Sequence, residues 1–227
     1  MLVRCGRSSL AGAILHCWFA GRLAVLGGLI LLVSSSWACG WEPASLFAPC
    51  GGDCGVAVYA GAYVEDSLGD EILLSPSPPY SWEYGDDDHL IATSISRRVA
   101  RFWRHWTLEP EVGIGQRFGR QSATELWGAL YFRYTGFPWD RYLVTTAALS
   151  TGLNWASEVT EVELDRAQDD EGSQWMHFFS PEITFAAPSR PNVELVLRFH
   201  HRSGVWGLVS DAWGGAQYAS VGVRVRF

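Results

Sequence analysis

The chain has 227 residues, with 17 basic against 24 acidic side chains and a formal charge of −7, and every basic residue is Arg. An acidic balance without a basic patch excludes a nucleic-acid partner. Charged residues at 18% beside 48% hydrophobic ones fit neither a disordered chain nor a polytopic helical membrane protein. The 12 Trp and 24 Gly together point to β-structure with aromatic belts.

Residues 1–38 read as a secretory signal peptide. Arg4, Arg7 and Arg22 are their only charges, the apolar run Leu23 to Val33 follows, and Ser36 and Ala38 take the −3 and −1 positions of a cut after Ala38. A membrane anchor is the alternative, but eleven apolar residues are fewer than a spanning helix needs. The cut leaves a domain of residues 39–227 carrying 14 Arg against 24 acids, a net charge of −10. Cys39 then stands at the new terminus, where lipidation is an option, although Ser36 and Trp37 make a poor lipobox. Cys50 and Cys54 bracket Gly-Gly-Asp and suit a small disulfide loop in an oxidising compartment. Metal binding by this pair is the weaker alternative, because nothing nearby supplies two further ligands.

Beyond Cys54 the chain repeats segments of about ten residues with alternating character, the signature of transmembrane barrel strands. Val56, Val58, Ala60, Ala62 and Val64 take one face, and Tyr59, Gly61, Tyr63 and Glu65 the other. Similar alternation runs over His89–Val99, Trp106–Gly115, Leu126–Tyr134, Ala147–Trp155, Phe179–Phe185 and Leu195–His200. The last segment sets Ala219, Val221, Val223, Val225 and Phe227 against Tyr218, Ser220, Arg224 and Arg226. That makes eight strands, and the fold expected is an all-β, eight-stranded antiparallel transmembrane β-barrel.

Period-two alternation alone does not say which face is inside. In a membrane barrel Glu65, Glu109, Glu111, Glu182, Glu194, Arg133, Arg198, Arg224 and Arg226 point inward, where eight strands leave room for side chains but no wide pore. In a soluble barrel or sandwich the faces reverse. The export signal, the terminal Phe227 and the Trp residues near strand ends (Trp103, Trp106, Trp139, Trp155, Trp175) favour the membrane. The turns expected near Ala100–Arg104, Gly136–Arg141 and Ala187–Pro191 are short and periplasmic. The external connections are Asp66–Asp88, Gly119–Ala123, Ala156–Trp175 and Gly204–Ala216. Asp86-Asp87-Asp88 reads as a solvated acidic loop, with a divalent cation as the lesser alternative.

One segment carries chemistry. In Leu195-Val196-Leu197-Arg198-Phe199-His200-His201-Arg202-Ser203-Gly204, strand parity puts His201 and Ser203 on the face of Leu195, Leu197 and Phe199. That face meets lipid, where an imidazole and a hydroxyl are costly unless they pair or sit at the interface. A Ser hydroxyl beside a His suits nucleophilic attack on an ester. The bland alternative is a pair of interfacial polar residues leading into a loop. His200 points inward, away from His201, so the two do not chelate one metal.

On the eight-strand plan, the signal peptide, this H-x-S and the terminal Phe, the chain resembles the outer-membrane lipid A 3-O-deacylases of the PagL family. The resemblance implies His201 as base, Ser203 as nucleophile, and a third member on the last strand about ten residues before the terminal Phe. That position holds Gln217 where the family has Glu, and Gly204 follows the Ser where the family has Asn. Asp211 in the preceding loop is a candidate carboxylate to compensate. The resemblance implies an esterase of the Gram-negative outer membrane acting on an acyl ester of lipopolysaccharide. It implies no metal or cofactor, and it leaves a homodimer open. A non-catalytic barrel acting structurally or in surface binding is the alternative function, and a soluble periplasmic β-domain is a third.

Overall fold

The computed structural model describes residues 42–43, 47–65, 77–119, 122–166, 172–205, 208–210, 212 and 215–227. The signal segment, Cys39, Asp211 and residues 66–76 of the first external connection lie outside the described residues. The barrel strands are β1 (Cys54–Val64), β2 (Tyr84–Arg97), β3 (Trp106–Phe118), β4 (Thr124–Tyr134) and β5 (Val144–Ala156). After them come β6 in two pieces (Trp175–Phe179 and Glu182–Ala186), β7 (Val193–Ser203) and β8 (Gly215–Arg226). Each pairs antiparallel with the next, and β8 returns to β1 from Tyr218↔Tyr63 to Arg226↔Gly55. The sheet is therefore closed, with eight antiparallel strands as the alternation predicts. Short strands Glu42–Pro43 and Ala100–Phe102 extend its edge at the short-turn end.

The two faces settle the ambiguity of parity. Val58, Ile91, Ile95, Val112, Ile114, Leu149, Leu153, Val221 and Val223 stand 47–58% exposed around the outer wall. Inside, Glu109, Glu111, Glu182, Glu194, Arg133, Arg198, Arg224 and Arg226 are all buried. Such an apolar exterior over a charged interior suits lipid outside, and it excludes the soluble barrel. Of the nine residues expected inside, Glu65 alone differs: it lies one residue past the end of β1 and is exposed.

The interior charges form one connected network. Glu182 meets Arg133 at 2.7 Å, Arg198 at 2.5 Å and Arg224 at 2.7 Å. Glu109 holds Arg133 at 3.0 Å and Arg226 at 3.2 Å, while Glu194 takes Arg226 at 2.6 Å. Above it lies an aromatic layer in which Trp127 stacks on Phe178 with centroids 5.6 Å apart. Gly113 leaves the space for that indole, since a Cβ there would lie 2.0 Å from Trp127 Cζ2. A second polar layer closes the long-loop end. Arg117 pairs with Glu125, and a helix α1 (Glu161–Arg166) turns Glu163 inward to accept from Arg117 at 3.0 Å.

Two boundaries differ from expectation. β2 starts at Tyr84, so the acidic run 86–88 belongs to a strand rather than a loop, with Asp87 exposed and Asp88 buried on the opposite face. An inward Asp is tolerated here because the barrel interior is polar. β6 starts at Trp175, four residues before the expected Phe179, and is interrupted at Ser180-Pro181. Pro181 has no N–H for the ladder, and its carbonyl accepts from Phe199 N at 2.9 Å.

Trp103, Trp106 and Trp139 lie at the short-turn end, and Trp155 pairs across strands with Trp175 at the other. These are the two interfacial belts of a membrane barrel. Cys50 and Cys54 form a disulfide, and Cys54 N and O both bond Phe227. The small loop therefore braces the seam where the first strand meets the last.

Removing Glu182 leaves three buried guanidinium groups short of a carboxylate. Glu182→Ala is expected to lower unfolding free energy by about 3–5 kcal/mol. Urea titration of the folded, heat-modifiable band measures this, and a loss below about 1 kcal/mol would contradict the network's role.

Candidate functional site on the outer rim

Outer-membrane barrels carry short turns on the periplasmic side and long loops outside, so the starts of β6 and β8 and the end of β7 form the external rim. On β7, residues 193, 195, 197, 199, 201 and 203 share the outward face, which carries His201 and Ser203 as parity predicts. The register pairs His201 with Gln217 of β8 on one side and with Phe179 of β6 on the other. Ser203 pairs with Gly215 and with His177.

His201 Nδ1 lies 3.2 Å from Gln217 Oε1. The other end of the amide fixes the direction of this bond. Gln217 Nε2 donates to the Val64 carbonyl at 3.3 Å, and a carbonyl can only accept. The amide oxygen therefore faces His201 and accepts from Nδ1–H. Nε2 of the imidazole is left as the proton acceptor, the tautomer that a general base beside Ser203 requires. Ser203 Oγ has no hydrogen bond among the described residues. In unliganded enzymes such contacts often tighten only when substrate arrives.

Gln217 faces outward yet is 1% exposed. A strap of the first external connection covers this part of the wall. In it Pro79–Ser81 forms a 3-10 turn, and Trp82 lies edge-on to Phe199 with centroids 5.7 Å apart. Trp82, Phe179 and Ala219 pack against the Val64–Phe199 cluster. Trp82 Nε1 donates to the Ser77 carbonyl at 3.1 Å, which holds the indole in place. Below the strap a groove of about 770 Å³ runs down the outer wall past Phe199, Pro181, Leu197, Ala219 and Val221. It begins one pair beneath His201 and Gln217, since Phe199 pairs with Ala219.

Sequence reasoning left out His177 and Thr151. Both face outward, and His177 Nε2 lies 2.8 Å from Thr151 Oγ1. The alternation Trp175-Met176-His177-Phe178-Phe179 carries the signal, but the break at Pro181 conceals that these residues belong to β6. The neighbouring His200 has a different role. It is fully buried, with Nε2 donating to Glu125 at 2.9 Å and Nδ1 accepting from Tyr59 OH at 3.0 Å, and it serves the interior network.

A closed eight-stranded barrel with a charged interior, an apolar wall and two aromatic belts is an outer-membrane β-barrel. No protein-family model and no curated protein sequence matches the chain. Among solved structures, the outer membrane enzyme PagL matches at 15% identity and a TM-score of 0.52, covering 76% of this chain and 99% of that one. Neisserial surface protein A matches at 16% identity and a TM-score of 0.47, covering 79% and 100%. Ail, the attachment invasion locus protein of Yersinia pestis, matches at 10% identity and 0.38, covering 78% and 99%. At such identities the likeness concerns the fold.

Orientation of the site is open to a direct check. In a Cys39→Ser background, Ser203→Cys is expected to react with a membrane-permeant maleimide in the folded protein. Ala216→Cys, inward and 1% exposed, is expected to stay unlabelled until unfolding. Labelling of the second and not the first would reverse the assigned faces.

Proposed function

We infer that the chain is an outer-membrane esterase that removes an ester-linked acyl chain from an outer-leaflet lipid, with lipopolysaccharide as the substrate. Residues 1–38 export it, and residues 39–227 form the working domain. The observation that carries the reading is the bond from His201 Nδ1 to Gln217, which leaves the other imidazole nitrogen basic two residues from an outward Ser203. All three side chains come from one chain, so the reaction needs no second copy.

Ser203 Oγ attacks the ester carbonyl as His201 Nε2 takes the hydroxyl proton. The tetrahedral adduct collapses, the ester C–O bond breaks, and His201 returns the proton to the departing lipid hydroxyl. Water then attacks the acyl-Ser203 by the same route in reverse, releasing a fatty acid and restoring the hydroxyl. The groove beneath Phe199 is apolar, as an acyl chain held at the lipid-facing wall requires. No step calls for a metal or cofactor.

Gln217 bears on the rate. An amide holds the tautomer but brings no charge to the imidazolium that forms, so it stabilises the transition state less than a carboxylate would. That amide also favours a second reading, a non-catalytic barrel that binds at the surface through its rim.

The two readings separate on purified protein in mixed micelles with lipid A. Ser203→Ala is expected to abolish acyl release while the barrel still folds. Gln217→Glu is expected to raise kcat by at least about tenfold, because an anion beside His201 favours the imidazolium. If Ser203→Ala matches the wild type and Gln217→Glu releases nothing more, the non-catalytic barrel is the better account.

A further inference from the structure

We propose that His177 of β6 is a further catalytic residue of this site, donating a hydrogen bond to the substrate's carbonyl oxygen as Ser203 attacks. The proposal rests on the esterase reading and adds to it the group that stabilises the oxyanion.

Four observations carry it. First, Ser203 and His177 are directly paired across β7 and β6 and both face outward. Side chains so paired have Cβ atoms about 4.5–5.5 Å apart, which leaves room for a carbonyl between hydroxyl and imidazole. Second, His177 is anchored from behind, with Nε2 on Thr151 Oγ1 at 2.8 Å. When the Thr hydroxyl donates, the neutral ring carries its proton on Nδ1, the nitrogen not held by Thr151. Third, the residue after the nucleophile cannot supply a side-chain donor. A Cβ on Gly204 would lie 2.0 Å from the Ala212 carbonyl oxygen and 2.7 Å from that of Ser210, so the returning loop excludes any side chain there. Fourth, Gly215 flanks Ser203 on the β8 side, so no side chain occupies that approach.

The division of labour follows. His201, tied to Gln217, moves the proton. His177, tied to Thr151, holds the charge. As the Ser203 Oγ–carbon bond forms, the carbonyl π pair moves onto oxygen, and the His177 N–H strengthens its hydrogen bond there without giving up its proton. A donor aimed at developing charge acts on the transition state more than on the bound ester, so its loss falls on kcat.

The test uses the full exported chain, refolded in detergent, with lipid A and a long-chain p-nitrophenyl ester as probes. His177→Phe keeps a flat ring compatible with lipid but removes the donor, whereas His177→Gln keeps a donor. His177→Phe is expected to lower kcat by about 100- to 1,000-fold with KM changed less than threefold, and His177→Gln to recover at least tenfold of that. Reaction of Ser203 with a fluorophosphonate should slow in the same order. Both variants should retain the wild-type heat-modifiable gel shift. A His177→Phe protein within threefold of wild-type kcat overturns the proposal while Ser203→Ala, inactive beside it, leaves the esterase reading standing. Equal losses in His177→Phe and His177→Gln reduce His177 to packing and also overturn it. If neither the wild type nor Gln217→Glu releases acyl chains from either probe, the reading and the proposal fall together.

Discussion

Glu182 ties arginines from three strands together inside the barrel, and the rest of the molecule follows from that satisfied polar interior. Arg133 of β4, Arg198 of β7 and Arg224 of β8 all meet this one carboxylate of β6. Buried charge is costly unless paired and hydrogen-bonded, and here each arginine finds its partner only when the strands are in register. A slip by one residue would turn these groups into lipid and the valines inward. The network therefore selects the closed barrel against its alternatives as well as filling it.

With the interior occupied by salt bridges and an aromatic layer, the described barrel offers its chemistry on the outside. Catalytic clefts usually enclose their substrate, but at the proposed site the wall faces a bilayer, from which a lipid substrate would arrive by lateral diffusion. Register does what a cleft would do elsewhere. Antiparallel pairing places Gln217 beside His201 and His177 beside Ser203, so three strands bring four polar side chains to one patch. Gln217 is buried although it faces outward, and hydrogen bonds in such shielded surroundings are stronger than in water.

Much of this was legible before any coordinates. Alternation with period two placed Val56 to Val64, Leu195 to Ser203 and Gln217 to Phe227 on the faces they occupy, because one lipid-facing wall imposes one parity. His201 and Gln217 were legible as partners through the family resemblance, with which their outward parity agreed. Asp87 and Asp88 were not legible as strand residues, since acids are depleted in strands whose inner face is apolar; this barrel's inner face is charged. His177 was hidden because Pro181 breaks the sixth strand and cuts the alternation short. Glu163 lies in a connection rich in acids, and only the fold of α1 turns it onto Arg117. Gln217 also holds the Val64 carbonyl, a contact between residues 153 positions apart that no local pattern could foretell.

The central claim is that an outward Ser203–His201–Gln217 site cuts an acyl ester of the outer leaflet. Mass spectrometry of lipid A from a Gram-negative host, with and without the expressed full chain, tests it most directly. The account predicts a new lipid A species lighter by one ester-linked acyl chain, absent when Ser203 is Ala. An unchanged lipid A profile in cells whose outer membrane contains the folded barrel would contradict it.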